Sequence, residues 1–91
     1  MAATDTQAAG ERAVGIDVSA TTLDVAVHGG RGWQAENAAG GIAALVAALD
    51  ALHPAVIVLE ATGVYHQAVT SALAAAGLPV VVVNPRQVRD F

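Results

Sequence analysis

Residues 13–27 read Ala13-Val14-Gly15-Ile16-Asp17-Val18-Ser19-Ala20-Thr21-Thr22-Leu23-Asp24-Val25-Ala26-Val27. The first part, Ala13–Val18, is a short apolar run of the kind that forms a strand buried on both faces. The last part, Thr22–Val27, alternates with period two, as a half-exposed strand does. Ser19-Ala20-Thr21 is long enough only for a turn, so the two runs fold back on each other. Gly29-Gly30-Arg31-Gly32 supplies the conformational freedom for a second hairpin turn, and Trp33–Asn37 follows as a third strand at the sheet edge.

The period then changes. Ile42, Leu45, Val46, Leu49 and Leu52 recur at helical spacing, which predicts an amphipathic helix of roughly three to four turns. His53-Pro54 stops it, because the residue before a proline is driven out of the helical region. Ala55–Glu60 is a fourth strand. A second helix is expected from about Val64 to Ala76, with Gly77 as its left-handed C-terminal residue. Pro79–Val83 is a fifth strand, and Asn84-Pro85 looks like the start of a further helix.

The order β-β-β-α-β-α-β describes an α/β fold with a mixed sheet in the order 3-2-1-4-5. Both crossovers step the same way, so right-handedness places both helices on one face and leaves the other bare. The expected organisation is a flexible tail at residues 1–12 and an incomplete domain at 13–91, truncated after the fifth strand, as the front part of a longer protein. A bare face of this kind is expected to self-associate.

Two acids stand out in this frame. Asp17 lies within the first apolar run, and Glu60 ends the run Ala55-Val56-Ile57-Val58-Leu59. A carboxylate surrounded by apolar neighbours needs a partner, a hydrogen bond or a metal ion. Each also has a plain structural reading: Asp17 as a turn-stabilising acid bonded to the Ser19–Thr21 backbone, Glu60 as a solvated strand end. The topology puts them on neighbouring parallel strands about 4.8 Å apart. Oxygen-only ligands there suit Mg²⁺ or Mn²⁺. A site with two ions, as used in phosphodiester displacement, would need further carboxylates. Asp24, Glu36 and Asp50 sit on other elements and are not expected to join.

Composition sets limits. The chain has 91 residues, 55% hydrophobic and 13% charged, with no cysteine and a formal charge of −4. Its four basic residues are all arginine. That balance is the wrong sign for a stand-alone nucleic-acid binder. No apolar stretch reaches the roughly 18 residues of a membrane span, and the N-terminus does not read as a signal peptide. A cytoplasmic protein without a membrane partner is expected.

The stretches Gly15-Ile16-Asp17-Val18-Ser19, Leu23-Asp24-Val25-Ala26, Leu59-Glu60-Ala61-Thr62-Gly63-Val64-Tyr65 and Val83-Asn84-Pro85-Arg86-Gln87-Val88-Arg89-Asp90-Phe91 carry a resemblance. Taken together, in this order and spacing, they resemble the N-terminal domain of the DEDD-type, Piv-related transposases of bacterial insertion sequences. The resemblance implies a RuvC-like, ribonuclease-H-like fold and a metal-dependent catalytic domain that cleaves and rejoins DNA. It makes Asp17 and Glu60 the first two acids of the catalytic, metal-binding tetrad, with two aspartates downstream of Phe91. It also implies Mg²⁺ or Mn²⁺, two ions in the complete site, DNA as partner, a guide non-coding RNA, and a homo-oligomer for the full-length protein. The 91 residues alone are expected to be inactive. Two positions depart from the family pattern: Ala20, where lysine is common, and His66, where an acid is common. Neither Ser19 nor Ser71 matches the family's serine nucleophile.

Two other functions fit parts of the sequence. Actin-like and sugar-kinase ATPases share the topology, but their phosphate-wrapping turn is glycine-rich and Ser19-Ala20-Thr21 has no glycine. A non-catalytic remnant would keep the acids without using them. His28, His53 and His66 lack zinc-site spacing. Trp33 is placed to stack on a base or to pack at the sheet edge, and Arg86 and Arg89 to meet a phosphate or plain solvent.

Overall fold

The computed structural model describes residues 12–61 and 63–84. Five strands form one sheet in the order β3-β2-β1-β4-β5, the order the sequence predicts. They are β1 (Ala13–Val18), β2 (Thr22–Val27), β3 (Gly32–Glu36), β4 (Val56–Ala61) and β5 (Val80–Val83). β2 pairs antiparallel with β1 and β3, whereas β4 pairs parallel with β1 and β5. The helices are α1 (Ala39–Leu52) and α2 (Gln67–Ala75).

One face of the sheet carries the core. Val14, Ile16 and Val18 of β1, Leu23, Val25 and Val27 of β2, and Ile57, Leu59 and Ala61 of β4 all point into it. Ile42, Leu45 and Leu49 of α1 and Val69 and Leu73 of α2 close it from above, at the three- and four-residue spacing of a helix stripe. Both helices therefore lie on the same side, as the two right-handed crossovers require.

Burial in β1, β2 and β4 alternates strictly, so the expectation that the β1 run is buried on both faces is corrected. Gly15, Asp17, Asp24, Ala26 and Glu60 are exposed on the uncovered face. The run looked continuous because its open-face positions, Ala13 and Gly15, are small rather than polar.

Several boundaries move for identifiable reasons. β3 spans Gly32–Glu36 rather than Trp33–Asn37, because the Asn37 N–H turns to the Thr21 carbonyl (2.9 Å). α1 begins three residues before Ile42 and passes close to the end of β3. A Cβ on Gly41 would run into the Glu36 backbone, so this approach requires glycine. At the other end, Pro54 excludes a right-handed helical His53, which instead takes φ 50°, ψ 59° with its N–H directed to the Asp50 carbonyl. α2 starts at Gln67, later than expected, because residues 63–66 form turns after Gly63 (φ 82°). Gly77 has φ 78°, the left-handed end expected of it.

The tail at residues 1–11 and the helix expected from Pro85 lie outside the described residues, as do Arg86 and Arg89. No helix among the described residues is long and apolar enough to cross a membrane.

Candidate active site

The register of the sheet assembles the acids. In the parallel β1–β4 ladder Asp17 stands directly beside Glu60. In the antiparallel β1–β2 ladder Asp17 stands opposite Asp24. β3 continues the row with Gln34 opposite Asp24, and β5 with Val83 beside Glu60. One row across the open face thus reads Gln34, Asp24, Asp17, Glu60, Val83.

This arrangement sets Asp17 and Glu60 side by side, as the topology predicts, and brings Asp24 into the same row. The place of Asp24 in this row follows from loop length. A turn at 19–21 that pairs Val18 with Leu23 must pair Asp17 with Asp24. Glu36 lies on the same face but one row away, opposite Thr22. Asp50 is exposed on α1, far from the row in the fold.

Like charges directly opposite on neighbouring strands repel, so the row carries an electrostatic penalty. Gln34 offsets part of it, its Nε2 donating to an Asp24 carboxylate oxygen at 2.9 Å. Among the described residues Asp17 and Glu60 carry no hydrogen bond or ion pair. They border a shallow concavity of about 380 Å³, whose floor includes Gly15, Ala26 and Val58. A Cβ on Gly15 would meet nothing within 4 Å, so the floor is open to a ligand. Two neighbouring oxygen donors without a cationic side chain suit a hard divalent ion that keeps water or phosphate in its other positions. Among the described residues no group of three potential ligands converges on one point.

The alternative role for Asp17, holding the following turn, is filled by another residue. Ser19 Oγ lies 2.7 Å from Thr22 Oγ1 and accepts from the Thr22 N–H at 3.0 Å, while the Ser19 N–H donates to the Thr22 carbonyl at 2.9 Å. The turn is closed without Asp17.

Asn37 is a positioning residue that sequence reasoning missed. Its side-chain amide donates to the Ser19 carbonyl (2.9 Å) and to the Tyr65 carbonyl (3.0 Å). It therefore ties the turn after the Asp17 strand to the loop after the Glu60 strand. Its partners are backbone carbonyls 18 and 28 residues away, which leave no side-chain pattern to read.

The three histidines do not gather. His28 is exposed in the β2–β3 turn and His53 is exposed after α1. His66 precedes α2, with its Nδ1 buried and unpartnered among the described residues.

Comparison with known proteins agrees with this fold. The model of a DEDD transposase family of the IS110 type, described as "Transposase", matches residues 14–91. No curated protein matches. Among solved structures the chain is similar to T. thermophilus RuvC in complex with a Holliday junction substrate. The TM-score is 0.65 at 20% identity, over 88% of this chain and 68% of that one. That likeness shows a RuvC-like, ribonuclease-H-like fold. With the family match spanning both acid-bearing strands, the chain belongs to the IS110-type DEDD transposases and carries their RuvC-like N-terminal domain.

Proposed function

We propose that Asp17 and Glu60 are two ligands of a divalent-cation site with which the full-length transposase cleaves and rejoins DNA at insertion-sequence ends. The observation that carries this reading is the parallel register that sets the two carboxylates side by side, without a cationic partner among the described residues, on the uncovered face. When bound, Mg²⁺ or Mn²⁺ supplies Lewis-acid polarisation of a phosphoryl oxygen and activation of the attacking oxygen. The chain's own part is to hold the two acids in fixed register. Asp24 adds negative charge to the row, and Asn37 fixes the loops beyond the two strands. Two aspartates downstream of Phe91 complete the tetrad in this proposal, with a second ion, so residues 13–91 form an incomplete domain and are inactive alone.

DNA is the proposed substrate, by membership of a transposase family and by likeness to a fold whose solved relative holds a DNA junction. A guide RNA and a homo-oligomer belong to the proposal for the full-length protein. The acidic balance of these 91 residues requires a basic surface elsewhere in the assembly.

The test is strand cleavage by the full-length protein in Mg²⁺. Asp17→Asn and Glu60→Gln are expected to abolish cleavage while DNA binding persists. Cleavage at the wild-type rate in either variant contradicts the proposal. Removal of co-purifying RNA is expected to abolish target selection, and unchanged targeting would remove the guide from the account.

A further inference from the structure

The permanent positive charge of the described residues is concentrated in one place. Arg12 and Arg31 are their only arginines, the chain has no lysine, and both line the same recess. Trp33, the sole tryptophan, lines it too, with Val27, Ala48 and Leu52. The recess has a volume of about 550 Å³, within the roughly 300–1,000 Å³ of small-ligand pockets. It lies beside the β2–β3 turn and the C-terminal part of α1. Arg12 precedes β1 and Asp17 is five residues further along, so the recess is about 16 Å from the carboxylate row, at the opposite end of the strands.

The backbones that present these groups are anchored. The Arg12 carbonyl accepts from the Ala55 N–H at 2.9 Å, and the Arg31 carbonyl from the Val27 N–H at 3.4 Å. The Arg12 guanidinium reaches over the turn, with Nη1 3.6 Å from the position a Cβ would take on Gly30. Neither guanidinium, each with five N–H donors, has a hydrogen bond or ion pair among the described residues. Trp33 is half-buried, packed against the core yet open to the recess. Two guanidiniums without a partner among the described residues, sharing a recess with an indole and an apolar wall, match a ligand with an anionic group and a planar ring. A nucleotide has that chemistry: the phosphate engages arginine and the base stacks on the aromatic ring.

We propose that this recess binds one unpaired base and its phosphate on a single-stranded stretch of nucleic acid, as a contact separate from the carboxylate row. The proposal rests on the reading that the domain works on nucleic acid. It gives an acidic domain a local cationic foothold on the helix-covered side of the sheet, away from the acid row of the open face.

Trp33 reports directly on this site. Titration of the full chain with short oligothymidylate or oligouridylate is expected to quench its fluorescence saturably. Arg12→Ala with Arg31→Ala should weaken binding about tenfold or more. The slope of log affinity against log salt should flatten by roughly 0.7 for each phosphate that no longer meets an arginine. The more effective of the two polymers identifies the strand as DNA or RNA, and equal quenching means that the sugar is not read. Absence of quenching, quenching unchanged in the double variant, or displacement by polyglutamate as effective as by oligonucleotide would each overturn the proposal. Mn²⁺ binding by the same double variant is expected to match wild type. Intact Mn²⁺ binding without quenching therefore removes the recess alone. Quenching without Mn²⁺ binding removes the metal reading alone.

Discussion

The two faces of the sheet are built from alternate residues of the same strands, yet one is a core and the other carries a row of acids. On the covered face of β1 and β4, Val14, Ile16, Ile57 and Leu59 are 0–1% exposed under the two helices. On the open face the intervening positions are Gly15, Asp17, Val58 and Glu60. The covered face stabilises the fold by removing apolar area from water. The open face sets like charges beside one another, which opposes folding unless a cation joins them. One-residue alternation keeps these two demands apart, and a register slip of a single residue would exchange them.

The comparison can be broken most forcefully from the covered side. Leu49→Ala removes a fully buried side chain and is expected to lower unfolding free energy by about 2–5 kcal/mol in denaturant titration. A loss below about 1 kcal/mol would mean that α1 does not seal the core as described. Gly41→Ala should follow at about 1–3 kcal/mol, since its Cβ meets the Glu36 backbone and α1 must shift away from β3. An unchanged thermal midpoint would refute that close approach.

Asn37 connects the two faces' functions through the loops at the acid end. Asn37→Ala removes two hydrogen bonds, with an expected loss of about 1–2 kcal/mol. Mn²⁺ affinity should fall with it, because the loops beyond Asp17 and Glu60 are no longer tied. Stability loss with unaltered Mn²⁺ affinity would make Asn37 a structural clip only. The smallest effect is expected on the open face itself. Asp17→Asn, measured without divalent ions, should leave stability within roughly 0.5 kcal/mol of wild type and shift it upward. A clear destabilisation would show that Asp17 holds the fold.

Much of this division is legible in the sequence. The period-two pattern of Thr22–Val27 and the short Ser19–Thr21 turn give the hairpin. The spacing of Ile42, Leu45 and Leu49 gives the covering stripe. Crossover handedness then gives the bare face. What is not legible follows from physical causes. Ala13 and Gly15 look apolar wherever they point, so the exposure of Asp17 is hidden. The pairing of Asp24 with Asp17 follows from register, which assigning each acid to its strand does not supply. The left-handed His53 is only half-signalled by Pro54, which excludes one conformation without choosing the next. Asn37 leaves no pattern at all, because it bonds to carbonyls.

The central claim is that Asp17 and Glu60 share a divalent ion while Asp24, already engaged by Gln34, serves as a neighbouring charge. Mn²⁺ binding followed by electron paramagnetic resonance tests it most directly, with wild type beside Asp17→Asn, Glu60→Gln and Asp24→Asn. The account predicts that the first two lose binding and that Asp24→Asn keeps it with a weaker affinity. Binding that is the same in all four proteins would contradict it.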